Sequence, residues 1–359
     1  MIDVPRRMPP ALLAGFLVLA LTACALGSLN VGTSDLLGFR DLARGCLATV
    51  GLAEPLESRG LQTIAELRLW RVLVSIGVGA ALALSGGLLQ GVFRNHLASP
   101  SVLGVTSGAS LGASLAIMLV ASGGSFMLID RVGGAAPALI TTAAFAAAMG
   151  VTLLITMIAT TGGRVSIPTL LLVGIALNAM IGGALAALQA WALDDSDLTR
   201  SMITWTFGRL DDRSAWHVGV VWIGLALACV AIPFTAFELD LFAAGEEDAR
   251  GLGVDTRRVK LIALAAASLA AAVAVSVCGQ IAFVGLVVPH VLRLLSGPSH
   301  RSLLPLCLLG GPVLVLGADL AQRVLLGANY LPPGVIMSIV GGPFFLYLLL
   351  RNRRSLEAW

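Results

Sequence analysis

Long apolar blocks recur along most of this chain, separated by short polar stretches rich in glycine and proline. The blocks are Ala11–Leu29, Val72–Phe93, Val102–Val120, Ala136–Thr160, Thr169–Ala192, Trp216–Pro233, Val259–Val277, Ile281–Leu295, Leu303–Leu325 and Val335–Leu350. A bilayer core about 30 Å thick takes about 20 apolar residues as a helix, so each block reads as a membrane span. Lipid offers no partner to a free backbone N–H or C=O, which leaves helix bundles or closed barrels. Unbroken apolar runs of this length exclude the alternating strands of a barrel. The pattern therefore predicts an all-α membrane protein, one domain over residues 1–359, with about ten transmembrane helices. The eighth block is short and contains Pro289, so a kinked or protein-buried helix is expected there.

Composition sharpens this picture. Hydrophobic residues make up 57% of the 359 positions and charged residues 12%, where soluble domains carry about 25% charged. A net charge of +3 gives no reason to expect a nucleic-acid partner. The five cysteines, Cys24, Cys46, Cys229, Cys278 and Cys307, lack the paired short spacings of zinc or redox sites and read as small apolar filler. Leu21-Thr22-Ala23-Cys24 after Arg6 and Arg7 resembles a lipoprotein cleavage box, but the apolar run continues through Ala25, Leu26 and Leu29. The segment is read as the first membrane helix. Ten spans put both termini on one side, and Arg6, Arg7, Arg351, Arg353 and Arg354 make that side cytoplasmic by the positive-inside rule.

Two polar stretches are long enough to fold beyond a turn. Residues 30–67 are expected to form an external cap. Residues 237–258, FELDLFAAGEEDARGLGVDTRR, fall on the cytoplasmic side; their charged faces suit either a docking element or a solvated loop. Gly104, Gly108 and Gly112 line one helix face, where small residues let backbones approach closely. Intramembrane charge is sparse: Asp319 and Arg323, four apart on one face, and His290 with Arg293. That is too little for a proton relay, and neither a GxxxxGK[ST] phosphate loop nor an HExxH helix occurs. No catalytic residue, bound metal or cofactor is expected in the chain, although an ion-coupled secondary transporter and a membrane enzyme remain the rival classes.

Five ordered segments carry a more specific signal: LRLWRVLVSIGVGAALALSGGLLQGVFRNHLASPSVLGVTSGASLGA (67–113), LLLVGIALNA (170–179), AAGEEDARGLGVD (243–255), GQIAFVGLVVPHVLRLLSGPSHR (279–301) and LPPGVIMSIVGGPFFLYLL (331–349). In these the chain resembles the FecCD-type permeases of bacterial binding-protein-dependent ABC importers, which serve ferric siderophores, haem and cobalamin. Trp70 and His96 stand where that family usually has proline. The resemblance implies an inner-membrane subunit working as a homodimer or with a close paralogue, two ATP-binding subunits that hold ATP and Mg, and a periplasmic or lipid-anchored substrate-binding protein. It implies roles for residues as well. Arg68, Arg71 and Arg323 match positions that meet acidic residues of the binding protein, with snorkelling at the membrane interface, or for Arg323 a pair with Asp319, as the alternative. Ala244, Gly245, Glu246, Ala249, Leu252 and Gly253 match the loop that couples to the ATPase. Asn95, Leu97, Ile167 and Pro168 match the cytoplasmic gate, with a plain capping turn as the alternative for Asn95. The substrate stays open among iron chelate, haem and cobalamin.

Overall fold

A computed structural model describes residues 7–31, 38–121, 135–161, 164–243, 245–327 and 331–351. Helices dominate: α1 (Pro10–Asn30), α2 (Phe39–Thr49), α3 (Arg59–Phe93), α4 (Val105–Ala121), α5 (Ala136–Ile158), α6 (Ile167–Trp191) and α7 (Ser196–Thr206). The second half continues with α8 (Ala215–Cys229), α9 (Ile232–Phe242), α10 (Glu246–Gly251), α11 (Thr256–Cys278), α12 (Val284–Ser296), α13 (His300–Leu326) and α14 (Pro333–Arg351). A two-residue antiparallel pair, Thr160–Thr161 with Arg164–Val165, closes the turn between α5 and α6.

Six of these helices, α1, α3, α5, α6, α11 and α13, are individually long and apolar enough to cross a bilayer. Proline at the second position of α9 cannot continue the helix before it, and α8 and α9 form a seventh crossing bent by 54°. The shorter apolar helices α4, α12 and α14 occupy the remaining three blocks of the sequence. The ten apolar blocks are therefore all helical.

One helix organises the rest. α3 is apolar on every side, the mark of a helix wrapped by protein, and its apolar window is 89% buried against 11% for α6. It packs against α13, α11, α12 and α8. Close approach needs glycine at the crossings. A Cβ on Gly79 would stand 2.6 Å from the backbone of Gly311 in α13, and one on Gly86 1.7 Å from the Gly285 carbonyl in α12. Neither position has room for a methyl group.

α12 begins where α3 is already deep in the bundle, since Gly285 also lies against the Leu82 carbonyl. Phe283 caps it at φ 66°, a left-handed conformation costly for a bulky residue. Its ring fills the gap that Gly341 of α14 leaves, which holds the strained residue in place. Gln280, just before, donates to Ser110 Oγ of α4 at 2.6 Å. Non-helical backbone at this depth is tolerated because protein surrounds it.

The segment expected to form an external cap is largely helical where it is described. Residues 59–67 are helical and continue α3, whose 35 residues span about 52 Å, well beyond the bilayer core. α2 packs on this extension through Gln62, whose Nε2 donates to Gly45 O and Thr49 Oγ1 at 3.1 Å. The described part of this segment is thus largely a projecting span with one helix laid against it; residues 32–37 lie outside the described residues.

The glycine crossings yield a paired test. Gly86→Ala is expected to lower stability by about 2–3 kcal/mol, the upper range for overpacking, because backbone rather than a side chain must move. Gly182→Ala in α6, with nothing within 4 Å of its added methyl, should leave stability unchanged. Thermal unfolding of both variants in detergent decides, and equal shifts would contradict the packing described.

Candidate functional site: two polar clusters at opposite ends of the bundle

Asp319 of α13 is buried, where a charge without partners would be costly. Two arginines surround it instead. Arg71 of α3 donates from Nε to Oδ2 at 3.1 Å and from Nη2 to Oδ1 at 2.5 Å, the two-pronged geometry that suits guanidinium and carboxylate. Arg323, one turn along α13, donates from Nη2 to Oδ2 at 2.8 Å. Arg71 Nη1 also pairs with Asp211, in the loop between α7 and α8. Two carboxylates thus face two guanidinium groups across three separate elements.

The same cluster ends α1. The last carbonyls of a helix have no partner within it and carry the negative end of its dipole. Arg68 Nη1 donates to Leu29 O at 2.9 Å and Asn30 O at 3.2 Å, and Arg323 Nη1 donates to Ser28 O at 3.2 Å and Val31 O at 2.5 Å. Arg323 Nη2 also donates to Ser28 Oγ. Arg68, Arg71 and Arg323, which the resemblance matches to positions that meet a binding protein, turn inward in this chain: Arg68 and Arg323 are buried, and α1 and Asp319 take donors from all three. Of the sequence alternatives, the Asp319–Arg323 pair is present. Asp211 was not singled out from sequence; its only signal was an acidic pair, Asp211-Asp212, in a polar loop.

At the opposite end lies the segment 237–258. Rather than one loop it is the tail of α9, the single-turn helix α10 and the first residues of α11. Gly245 opens α10 at φ 137°, a conformation open to glycine and strained for any side chain. Glu246 then braces the turn: Lys260 Nζ of α11 donates to its Oε2 at 2.5 Å, Arg250 Nη2 to its Oε1 at 2.6 Å, and Thr256 Oγ1 to its Oε1 at 3.2 Å. Burial alone raises the Glu246 pKa, but the Lys260 hydrogen bond and charge outweigh it and hold the carboxyl below its ordinary value. Ala249 is fully buried against this brace, whereas Leu252 and Gly253 stand exposed at its tip. The expected coupling residues thus divide into a frame and an exposed end; Ala244 lies outside the described residues.

Two further pairs secure this end. Asp240 of α9 accepts from His300 N at 2.5 Å and bonds its Nδ1 at 2.8 Å, tying α9 to the start of α13. Arg293 of α12 donates to Gln90 Oε1 at 2.8 Å, and Gln90 Nε2 donates to Leu286 O at 3.2 Å, which joins α3 to α12. Asn95 shapes the turn after α3, its Oδ1 accepting from Leu97 N at 2.8 Å. Ile167 and Pro168 begin α6 behind the N-cap Ser166. Asn95 and Pro168 are exposed and Leu97 and Ile167 half-buried, so each pair finishes its own element.

A bundle of six apolar crossings, a bent seventh and three shorter apolar helices, braced by ion pairs at both ends, fits the class of membrane transport subunits. The chain is a member of the FecCD transport family, which matches residues 15–351. Among curated relatives, the hemin transport system permease HmuU of Yersinia pestis is 36% identical over 97% of this chain and 98% of its own length. The cobalamin import system permease BtuC of Halobacterium salinarum is 40% identical over 84% of this chain and 78% of its own. A solved structure, described as an inward-facing conformation of a metal-chelate type ABC transporter, superposes with a TM-score of 0.77 at 28% identity over 95% of this chain and 99% of that one.

The Asp319 cluster gives the clearest energetic expectation. Asp319→Ala removes the buried carboxylate that two arginines share and should cost about 3–5 kcal/mol, the usual loss when one partner leaves a buried ion pair. Arg44→Ala breaks only a 3.8 Å pair with the largely exposed Glu54 and should cost less than about 1 kcal/mol. Unfolding midpoints in detergent compare the two, and similar small shifts would remove the cluster's structural role.

Proposed function

We propose that this chain is the membrane-spanning permease subunit of an ATP-driven importer that carries a bulky metal chelate or tetrapyrrole cofactor into the cytoplasm. The observation that carries the reading is α10, a single rigid turn braced by Glu246, Lys260, Arg250 and Thr256 and ending in the exposed Leu252. A subunit with no phosphate loop must receive its energy from a partner, and a braced projection is a means of receiving it as motion.

In this reading both termini and α10 lie on the cytoplasmic side, and each of two copies, or a copy and a close paralogue, engages one ATP-binding subunit. ATP and Mg belong to those subunits. Movement of α10 passes through the Glu246–Lys260 pair to α11 and through Asp240–His300 from α9 to α13. Asn95, Leu97, Ile167 and Pro168, at the same end, close the path when two copies face each other. At the external end Arg68, Arg71 and Arg323 act as positioning residues, fixing the ends of α1, α3 and α13 on which a substrate-binding protein sits. Membership of the FecCD family and the hemin and cobalamin permeases among its relatives support this reading.

The test uses Leu252, because a change at an exposed tip spares the fold while Gly245 tolerates no side chain. Leu252→Glu should leave unfolding temperature unchanged, abolish copurification with the ATPase subunit and cut coupled ATP hydrolysis at least about tenfold, equivalent to about 1.4 kcal/mol of docking. Retained copurification and hydrolysis would show that α10 is not the ATPase contact.

A further inference from the structure

A cleft of about 800 Å³ opens beside the arginine cluster, between the last turns of α4 at Ile117 and Val120, α5 at Ile140, α7 and the first turn of α14 at Pro333. The volume is within the range of small-molecule sites, about 300–1,000 Å³. Its polar wall comes from α7 and the loop that follows: Arg200, Ser201, Thr204, Arg209 and Arg213, with Trp205 as a flat apolar face. That loop is anchored, since Arg209 N donates to Cys278 O at 2.7 Å and Gly208 packs against the Gln280 carbonyl. The wall is therefore formed before anything binds.

Its charge is unbalanced. Asp211, the carboxylate on the wall, is engaged by Arg71. Asp195, at the start of α7, accepts from Asp197 N and Leu198 N as the helix cap. Arg209 pairs with Asp212 at 2.7 Å, but the two side chains are 44% and 72% exposed, where water screens such a pair. Arg200 makes no ion pair or hydrogen bond among the described residues. Arg213 Nη2 donates to Arg209 O at 3.2 Å, while its Nε is buried with no partner. An incoming anion is favoured by the net positive field of this wall, and Arg213, with one donor unpaired, is held there by a single hydrogen bond to Arg209 O among the described residues.

We propose that this cleft is an entry site for an anionic cargo, a metal chelate or tetrapyrrole bearing free carboxylates, which Arg200 and Arg213 hold while Trp205 packs against its flat or apolar face. The word cargo rests on the importer reading; the anion site does not. Neutral chelates of the same size gain nothing from the positive field and bind more weakly. The cleft thus favours carboxylate-bearing substrates over neutral ones at the external mouth.

The test titrates the purified full-length chain in detergent with ferric dicitrate, an anionic iron chelate, and follows quenching of the Trp205 contribution to fluorescence, isolated by subtracting the Trp205→Phe variant. Ferrichrome supplies iron without charge, and iron-free citrate supplies charge without iron. The expected result is saturable quenching by ferric dicitrate, competed by citrate, weakened at least about tenfold in the Arg200→Gln, Arg213→Gln double variant; ferrichrome should quench at least about tenfold less strongly. Arg200→Gln alone, at an exposed position, is the second variant should loss of Arg213 disturb folding, and a weakening of about threefold is expected from it. Equal quenching by ferrichrome, indifference to both variants, or no saturable quenching in protein with normal unfolding temperature overturns the proposal. The readout needs neither ATPase nor binding protein, so anion binding that persists while ATP-driven uptake fails would reject the importer reading and leave the site standing.

Discussion

Backbone contact between α3 and its two glycine-faced neighbours sets the geometry of the whole bundle. At Gly79 with Gly311 and at Gly86 with Gly285 the helices meet without side chains between them, a separation that lipid-embedded helices reach through small residues because lipid supplies no hydrophobic drive to pull them together. Contacts this tight forbid sliding. α3, α12 and α13 therefore form one close-packed block, the arrangement in which strain is transmitted rather than absorbed.

Charge is confined to the two ends of that block. Asp319 with Arg71 and Arg323 ties α3 to α13 at one end, and Arg68 with Arg323 closes the last carbonyls of α1 over them. At the other end Gln90–Arg293 joins α3 to α12, and Asp240–His300 with Glu246–Lys260 links the block to the segment that carries α10. Each pair satisfies groups that would otherwise be costly in a low-dielectric interior. Their placement braces the ends, while the polar contacts between them, such as Ser85 Oγ to Ala267 O at 2.6 Å, are uncharged hydrogen bonds.

Much of this was legible in the chain. The apolar blocks located every span, Pro289 marked the short α12, and the charged run at 246–250 marked the α10 turn. What the sequence withheld were partners. Asp319 could be matched with Arg323 four residues away, but Arg71 is 248 positions distant and Asp211 lies 140 from Arg71, so the inward turn of the arginines was invisible to spacing. The fold within residues 30–67 was not legible either: Arg59–Leu67 is helix because it prolongs an already nucleated span and carries α2 through Gln62. Within 243–255 the residue types were plain, while the division between the buried Ala249 and the exposed Leu252 depended on α11.

The central claim is that this rigid block converts ATP-driven movement of a partner at α10 into inward passage of a bulky chelate. It is tested most directly by reconstituting the chain with its ATPase and substrate-binding protein in liposomes and measuring uptake of the chelate that the binding protein holds. The account predicts accumulation that requires ATP on the α10 side, requires the binding protein on the other, and is unaffected by collapsing ion gradients. Uptake that proceeds without ATP, or that follows a proton or sodium gradient, would contradict it.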